Sequence, residues 1–246
     1  LSGKLAAGYV RGIQSVGVSA CPKHFAANNQ ELRRMASNSV LDERTLRELY
    51  LTDFEIAVKE GRPKCIMTSY NRVNGTYANE NHHLLQDILH GEWGYDGAVV
   101  TDWGGSNDHV EGVREGSTLE MPCPGFGSAK RLMQAVEEGR LPESAVDARV
   151  DELLELVFTT DAAVQAAPKR FDRDAHHALA RRAAAESVVL LKNEDDLLPF
   201  KPGQSVALIG DFAQTPRYQG AGSSSVNATR VDNLKAAAEA DDITLA

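Results

Sequence analysis

Residues 84–103 read Leu-Leu-Gln-Asp-Ile-Leu-His-Gly-Glu-Trp-Gly-Tyr-Asp-Gly-Ala-Val-Val-Thr-Asp-Trp. Leu84, Leu85, Ile88 and Leu89 fall on one helical face, which predicts a helix over His83–His90. Ala98–Thr101 is a short apolar run of the kind that forms a buried strand, and a polar stretch opening with Asp102 follows it.

The same alternation recurs on both sides. Further apolar runs lie at Val16–Ala20, Cys65–Tyr70 and Ser117–Met121. Asp42 is a good N-cap for a helix carrying Leu46, Leu49, Tyr50, Phe54 and Val58, which Gly61 and Pro63 end. Ala129–Glu138 reads as another helix, closed by Gly139. Pro142 opens a further one with Val146, Val150, Leu153, Leu154 and Val157 on one face. Strands alternating with helices indicate βαβ units and a parallel sheet with right-handed crossovers. The units within residues 1–160 fall short of the ~250 residues of a closed eight-unit barrel. The fold expected is therefore α/β, the later half of a (β/α)8 barrel, with an open doubly wound sheet as the alternative.

Residues 161–175 lack an apolar period and read as a linker. Asp174 is expected to cap a helix running to about Glu186. Strands are expected at Ser187–Leu191, Leu197–Phe200 and Ser205–Ile209, so a second α/β domain occupies 176–246 and is cut off at Ala246. Leu1–Gly17 holds no identifiable domain start, and the chain is expected to be part of a larger enzyme.

Composition narrows the function. Of 246 residues, 42% are hydrophobic and 25% charged, and 35 Asp and Glu against 26 Lys and Arg leave a net charge of −9. Net acidity argues against nucleic acid and anionic membrane as partners. No apolar run approaches the ~20 residues of a membrane span. No basic region followed by an apolar core opens the chain, which favours a cytoplasmic location. Cys21, Cys65 and Cys123 are too few and too scattered for a disulfide framework or a zinc site, and are expected to be free thiols. Neither His82-His83 nor His176-His177 has chelating i,i+4 spacing, so no metal is expected. The loop Gln219–Val226 lacks the lysine and spacing of a phosphate loop, and no cofactor is expected.

Parallel α/β folds place their sites at the C-terminal edge of the sheet. Lys23-His24, Ser69-Tyr70-Asn71, Asp102-Trp103 and Glu120 fall at such strand ends. Asp102 could there be a nucleophile, a metal ligand or a base, or equally a helix cap for the Trp-Gly-Gly that follows. Trp103 beside it offers an apolar face to a ligand such as a sugar ring. Lys23 and His24 share a site only if the chain bends, since neighbours on a strand point to opposite faces.

Several stretches together resemble glycoside hydrolase family 3, in its β-glucosidase-like branch. They are Lys23-His-Phe-Ala-Ala-Asn-Asn-Gln-Glu31, Met67-Thr-Ser-Tyr-Asn-Arg-Val-Asn-Gly75, Leu85–Gly97, Val99-Val-Thr-Asp-Trp103 and Leu119-Glu-Met-Pro122. Ser187-Val-Val-Leu-Leu-Lys-Asn193 and Leu198-Pro-Phe200 look like the start of that family's second domain. The resemblance implies a (β/α)8 barrel followed by an α/β sandwich domain, with a carbohydrate or glycoside substrate bound between them. It implies that Asp102 is the nucleophile of a retaining exo-glycosidase releasing terminal β-D-glucosyl residues. By the same resemblance, Lys23, His24 and Arg34 hold sugar hydroxyls, Met67 lines the pocket, Tyr70 stands beside the nucleophile, Trp103 packs on the ring and Ser223 reaches the sugar from the second domain. A β-xylosidase or α-arabinofuranosidase of the same family is the alternative, as is a catalytically silent carbohydrate-binding homologue. The stretch after Lys23-His24 lacks the Pro-Gly-His-Gly of the family's N-acetylhexosaminidases. No glutamate here is assigned as acid/base, and Glu31, Glu80 and Glu120 are read as structural hydrogen-bonding groups. The remaining partners expected are the other segments of the same enzyme and a second copy in a homo-oligomer.

Overall fold

The computed structural model describes residues 1–123, 125–167 and 170–246. They divide into two units, Leu1–Phe171 and Asp172–Ala246.

The first unit opens with helix α1 (Ser2–Gln14), in the stretch where no domain start is legible in the sequence. Its buried face is Gly3, Ala7 and Val10, too small to stand out as an apolar period. Small residues there let two backbones touch. A Cβ added to Gly3 would stand 2.9 Å from the Ile56 Cβ, and one on Gly61 would stand 3.1 Å from the Ala7 Cα. The partner is helix α2, over 43–61, which mixes α and π turns. Asp42 caps it as expected, accepting from the Thr45 N–H at 2.9 Å. Arg62, in the left-handed region, ends it.

Five strands, one before α2 and four after it, and helix α3 make up the sheets of this unit. Strand β1 (Asn38–Ser39) pairs in parallel with β3 (Arg72–Val73), which turns back into β4 (Thr76–Tyr77). Strand β2 (Cys65–Met67) pairs in parallel with β5 (Ala98–Val100), register Cys65↔Ala98 to Met67↔Val100. Helix α3 (His83–Glu92) crosses between them.

Two irregular segments extend this pair into an arc. Ala20 and Pro22 accept from the Cys65 and Met67 N–H groups at 3.2 and 3.1 Å, and Phe25 bridges Thr68. On the far side Leu119 bridges Val100. The expected strand Ser117–Met121 is thus reduced to a single bridge, and Val16–Ala20 to one hydrogen bond at Ala20, with the bridge on that side displaced to Phe25. Each has a ladder neighbour on one side only, and Val16 and Val18 stay exposed beyond the turn at Gly17. The arc is parallel, as expected, but it does not close into a barrel among the described residues.

Alternation along β2 and β5 gives the arc two faces. Ile66 and Val99 turn toward the helices and meet Leu46, Leu51, Leu84, Leu85, Ile88 and Leu89. Cys65, Met67 and Val100 turn inward and meet Cys21, Leu119 and Met121. Phe25 is wholly buried in the helix-facing layer, edge-on to Phe54 at 5.3 Å and Trp93 at 5.9 Å.

Helices α4 (His109–Glu115), α5 (Phe126–Glu137) and α6 (Glu143–Ala166) complete the unit. Val146 packs beside Val113, Ala135 and Leu141, whereas Val150, Leu154 and Val157 of the expected apolar face remain exposed. Helix α6 also continues through 161–166, which the sequence reads as linker. Residues there are helix-compatible, and the missing apolar period reflects their exposure, not a break in the helix. No helix among the described residues is long and apolar enough to cross a membrane.

In the second unit, helix α7 (Arg173–Glu186) is capped by Asp172, not by Asp174. Only Ser205–Val206 of the three expected strands forms, as β6, parallel to β7 (Thr244–Leu245), with helix α8 (Leu234–Ala240) before it. Val188–Leu191 and Ile209 are exposed, because those runs find no ladder partner among the described residues.

The His83 imidazole on α3 lies 2.9 Å from an Asp87 oxygen and 3.0 Å from a Glu43 oxygen. Bonding to Asp87, and then to Glu43, raises its pKa above the usual histidine value. A raised folded-state pKa stabilises the fold below about pH 6.5, the unfolded value, and that stability is lost as pH rises through the folded one. The expected result is an NMR titration midpoint for His83 above 6.5 that falls toward it in Asp87→Asn. A wild-type midpoint at or below 6.5 would remove the contribution.

Candidate active site

Strand β5 ends at Val100, and Thr101-Asp102-Trp103 leaves it at the C-terminal edge of the arc. Asp102 is nearly buried. One carboxylate oxygen accepts from the Trp103 N–H at 2.7 Å. The other lies 3.2 Å from His24 Nε2. The Asp102 carbonyl accepts from the Gly105 N–H at 2.8 Å, so the chain turns at once. The helix-cap alternative falls, because Asp108 caps α4, accepting from Val110 and Glu111 at 3.1 Å each.

His24 arrives from the neighbouring segment, which Phe25 anchors. Burial lowers its pKa, against the pull of the Asp102 carboxylate, and the Lys23 and Arg34 charges lower it further. It is therefore neutral at neutral pH and can both donate to and accept from a hydroxyl. Lys23 is exposed beside it.

Tyr70 comes from the loop after β2. Its hydroxyl donates to the Trp103 carbonyl at 2.9 Å. Burial raises its pKa, and the adjacent Asp102 carboxylate raises it further, so it remains a neutral phenol. The Arg34 guanidinium stands 4.7 Å over its ring and 3.0 Å from a Glu31 oxygen. Met67 lies three residues earlier, at the end of β2, on the inner face. The Trp103 side chain is 51% exposed beside the carboxylate.

His24, Arg34, Tyr70, Asp102 and Trp103 thus form one connected cluster, with Lys23 next to His24. Ser223 lies exposed in the second unit, in the turn Gly222–Ser224. Glu120, at the fourth strand end, lies 3.3 Å from His109 Nδ1 on α4. Among the described residues no group of three or more His, Cys, Asp or Glu could hold a metal ion.

Two features escape the sequence. The free thiols of Cys21 and Cys65 meet across the ladder: the Cys21 sulfur, then burial, push the Cys65 thiol up, while Cys65 lowers Cys21. Only their cross-strand register reveals this. Glu80, in the turn Ala78–Glu80, accepts from the Asn107 and Asp108 N–H groups at 2.9 and 2.6 Å, and so ties down the loop that begins at Asp102. A hydrogen-bonding role is legible for it in the sequence, but its partners are not.

A carboxylate, a neutral imidazole, a phenol, a guanidinium and an indole at one sheet edge suit a ligand rich in hydroxyls. The glycosyl hydrolase family 3 N-terminal domain matches residues 1–156, and the glycosyl hydrolase family 3 C-terminal domain matches residues 188–244. The chain belongs to glycosyl hydrolase family 3. Within the family it is 50% identical over 234 residues to thermostable beta-glucosidase B of Acetivibrio thermocellus, covering 95% of this chain and 31% of that protein. It is 43% identical over 243 residues to an exo-alpha-(1->6)-L-arabinopyranosidase of Bifidobacterium breve, covering 95% and 32%. The structure of beta-glucosidase 3B from Thermotoga neapolitana in complex with alpha-D-glucose matches with a TM-score of 0.92 at 33% identity, over 99% of this chain and 35% of that one. The chain spans about a third of the length of the curated relatives it matches.

Proposed function

We propose that the protein containing this chain is a retaining exo-glycosidase of the β-glucosidase type, with Asp102 as nucleophile. The observation that carries this reading is the Asp102 carboxylate at the strand end, with His24 Nε2 at 3.2 Å and Tyr70 and Trp103 beside it. An oxygen of Asp102 attacks the anomeric carbon of the terminal sugar as the glycosidic C–O bond breaks. A general acid protonates the departing oxygen. Water then attacks the same carbon, giving its proton to the group that served as acid, the glycosyl–Asp102 bond breaks, and both the carboxylate and the acid are restored.

The other groups bind and orient. Lys23, neutral His24 and Arg34 supply donors to sugar hydroxyls, and charged donors bind strongly once water is excluded. Tyr70 holds the Trp103 carbonyl and hence the turn that carries the nucleophile. Met67 and Trp103 supply apolar surface for the ring. No glutamate of the chain is assigned as the acid. Resemblance to the glucosidases above favours glucose. The arabinopyranosidase relative supports a pentopyranose as the second reading.

Incubation of the full-length protein with 2-deoxy-2-fluoro-β-glucoside, followed by peptide mass analysis, tests this. The expected result is one fluoroglucosyl group on Asp102. Sugar binding without label would support a silent carbohydrate-binding protein. Faster turnover of an aryl pentopyranoside than of the matching glucoside would favour the second reading.

A further inference from the structure

We infer that Glu80 is a positioning residue for Asp102, acting through the loop 102–108; this rests on the reading of Asp102 as nucleophile.

Residues 102–108 read Asp-Trp-Gly-Gly-Ser-Asn-Asp. Two adjacent glycines give this segment more conformational freedom than any other between β5 and α4. Something must hold it if the carboxylate at its start is to point one way. Near Asp102 the restraints are the Trp103 N–H on the carboxylate, the Gly105 N–H on the Asp102 carbonyl, and the Gly104 N–H on the Met121 carbonyl at 2.9 Å. At the far end a single oxygen, Oε1 of Glu80, receives both the Asn107 and Asp108 N–H groups. These two donors precede helix α4 and have no place in its ladder. Bonds from backbone N–H to a carboxylate are charge-assisted and short, as the 2.6 Å contact is.

Glu80 is itself held on a rigid base. The Ala78 N–H donates to the Asn71 carbonyl at 3.0 Å. Asn79 is buried, and its side-chain oxygen accepts from the Thr68 hydroxyl at 3.0 Å. Asn81 donates to the Val73 carbonyl at 3.2 Å and accepts from the Leu84 N–H at 3.1 Å. Glu80 is half-buried, and burial raises its pKa against the two N–H bonds, which lower it. The same platform carries the Tyr70 loop. Tyr70 reaches the Trp103 carbonyl from one side and Glu80 reaches 107–108 from the other. The loop is pinned at both ends to the segment that follows β2.

Loss of the Glu80 clamp therefore moves the Asp102 oxygen while leaving Lys23, His24 and Arg34, on a different segment, in place. The effect falls on the step in which that oxygen attacks. A displacement of about 1 Å can cost about 100-fold in such a step.

The test is trapping kinetics on the full-length protein with 2-deoxy-2-fluoro-β-glucoside, which gives a rate constant and a final stoichiometry of label on Asp102. Glu80→Ala is expected to lower the rate constant about 100-fold at full stoichiometry. Glucose affinity, read by titration, is expected to stay within about threefold. Glu80→Gln keeps an acceptor oxygen and should recover most of the rate. Glu80→Asp withdraws the oxygen by one methylene and should lose about tenfold, which keeps the test open if Glu80→Ala does not fold. An unchanged rate constant in folded Glu80→Ala or Glu80→Asp overturns the inference. So does a lower stoichiometry at an unchanged rate constant, the mark of a purely structural role. Absence of label in the wild type instead removes Asp102 as nucleophile, and the positioning role with it.

Discussion

Asp102→Asn in the full-length protein is expected to lower kcat and kcat/KM together by at least about 10⁴-fold, the scale of losing a group that acts in the chemical step. Asparagine is nearly isosteric with aspartate. Its side-chain oxygen can still accept from the Trp103 N–H, now at 2.7 Å, so the local turn should survive. Its amide can still face His24. What it lacks is an anionic oxygen that can bond to the anomeric carbon, so the glycosyl-enzyme does not form. Binding of glucose should persist, because Lys23, His24 and Arg34, the donors proposed for it, are unchanged. Were Asp102 a structural residue, the same change would cost about 1 kcal/mol of stability and leave the rate nearly intact. Steady-state kinetics beside a thermal melt separates the two outcomes. A variant with near wild-type kcat would remove the nucleophile and the retaining mechanism with it.

The legible and illegible parts of this chain differ in physical kind. The helix of residues 83–92 and the strand after it show in the sequence because large apolar side chains recur with a clear period and are buried. Asp42 shows because a cap is a local bond, made three residues away. Helix α1 hides because its buried face is glycine, alanine and valine, chosen for close approach to α2. The runs at Val188–Leu191 and Leu197–Phe200 are apolar enough to be strands, yet a strand exists only through a neighbour, and apolarity does not specify one. The site divides in the same way. Strand ends reveal His24, Tyr70 and Asp102 as candidates, and family resemblance adds Arg34. Neither shows that Arg34 lies over the Tyr70 ring, that the Tyr70 hydroxyl bonds to the Trp103 carbonyl, or that Glu80 holds the far end of the same loop. Those contacts join residues about 30 positions apart, and only the folded chain brings them together.

Phe25 links the two kinds of information, and Phe25→Ala is expected to destabilise the protein by about 3–5 kcal/mol. The residue follows His24 directly and is wholly buried. Its ring meets Phe54 and Trp93 edge-on, one from α2 and the other from the end of α3. Its N–H donates to the Met67 carbonyl at 2.8 Å, and its carbonyl accepts from the Ser69 N–H at 2.8 Å. The irregular segment 20–25 is therefore held to β2 by its backbone and to the helices by this one ring. Truncation removes the ring's transfer free energy and leaves a cavity that two large aromatics cannot easily fill. Against a typical total stability of about 5–15 kcal/mol, the loss is a large fraction. It should lower Tm by on the order of 10 °C. Phe25→Leu keeps part of the volume and should cost less than half as much. Leu49→Ala, at an exposed position on α2, should change stability by no more than about 0.5 kcal/mol. The site should register the same change. With its anchor gone, the His24 side chain loses its fixed distance to Asp102, and glucose affinity should fall in Phe25→Ala at temperatures where the fold persists. Denaturant unfolding with a glucose titration reads both effects. A Phe25→Ala melt matching the wild type would show that the segment carrying His24 is held by its backbone bonds alone.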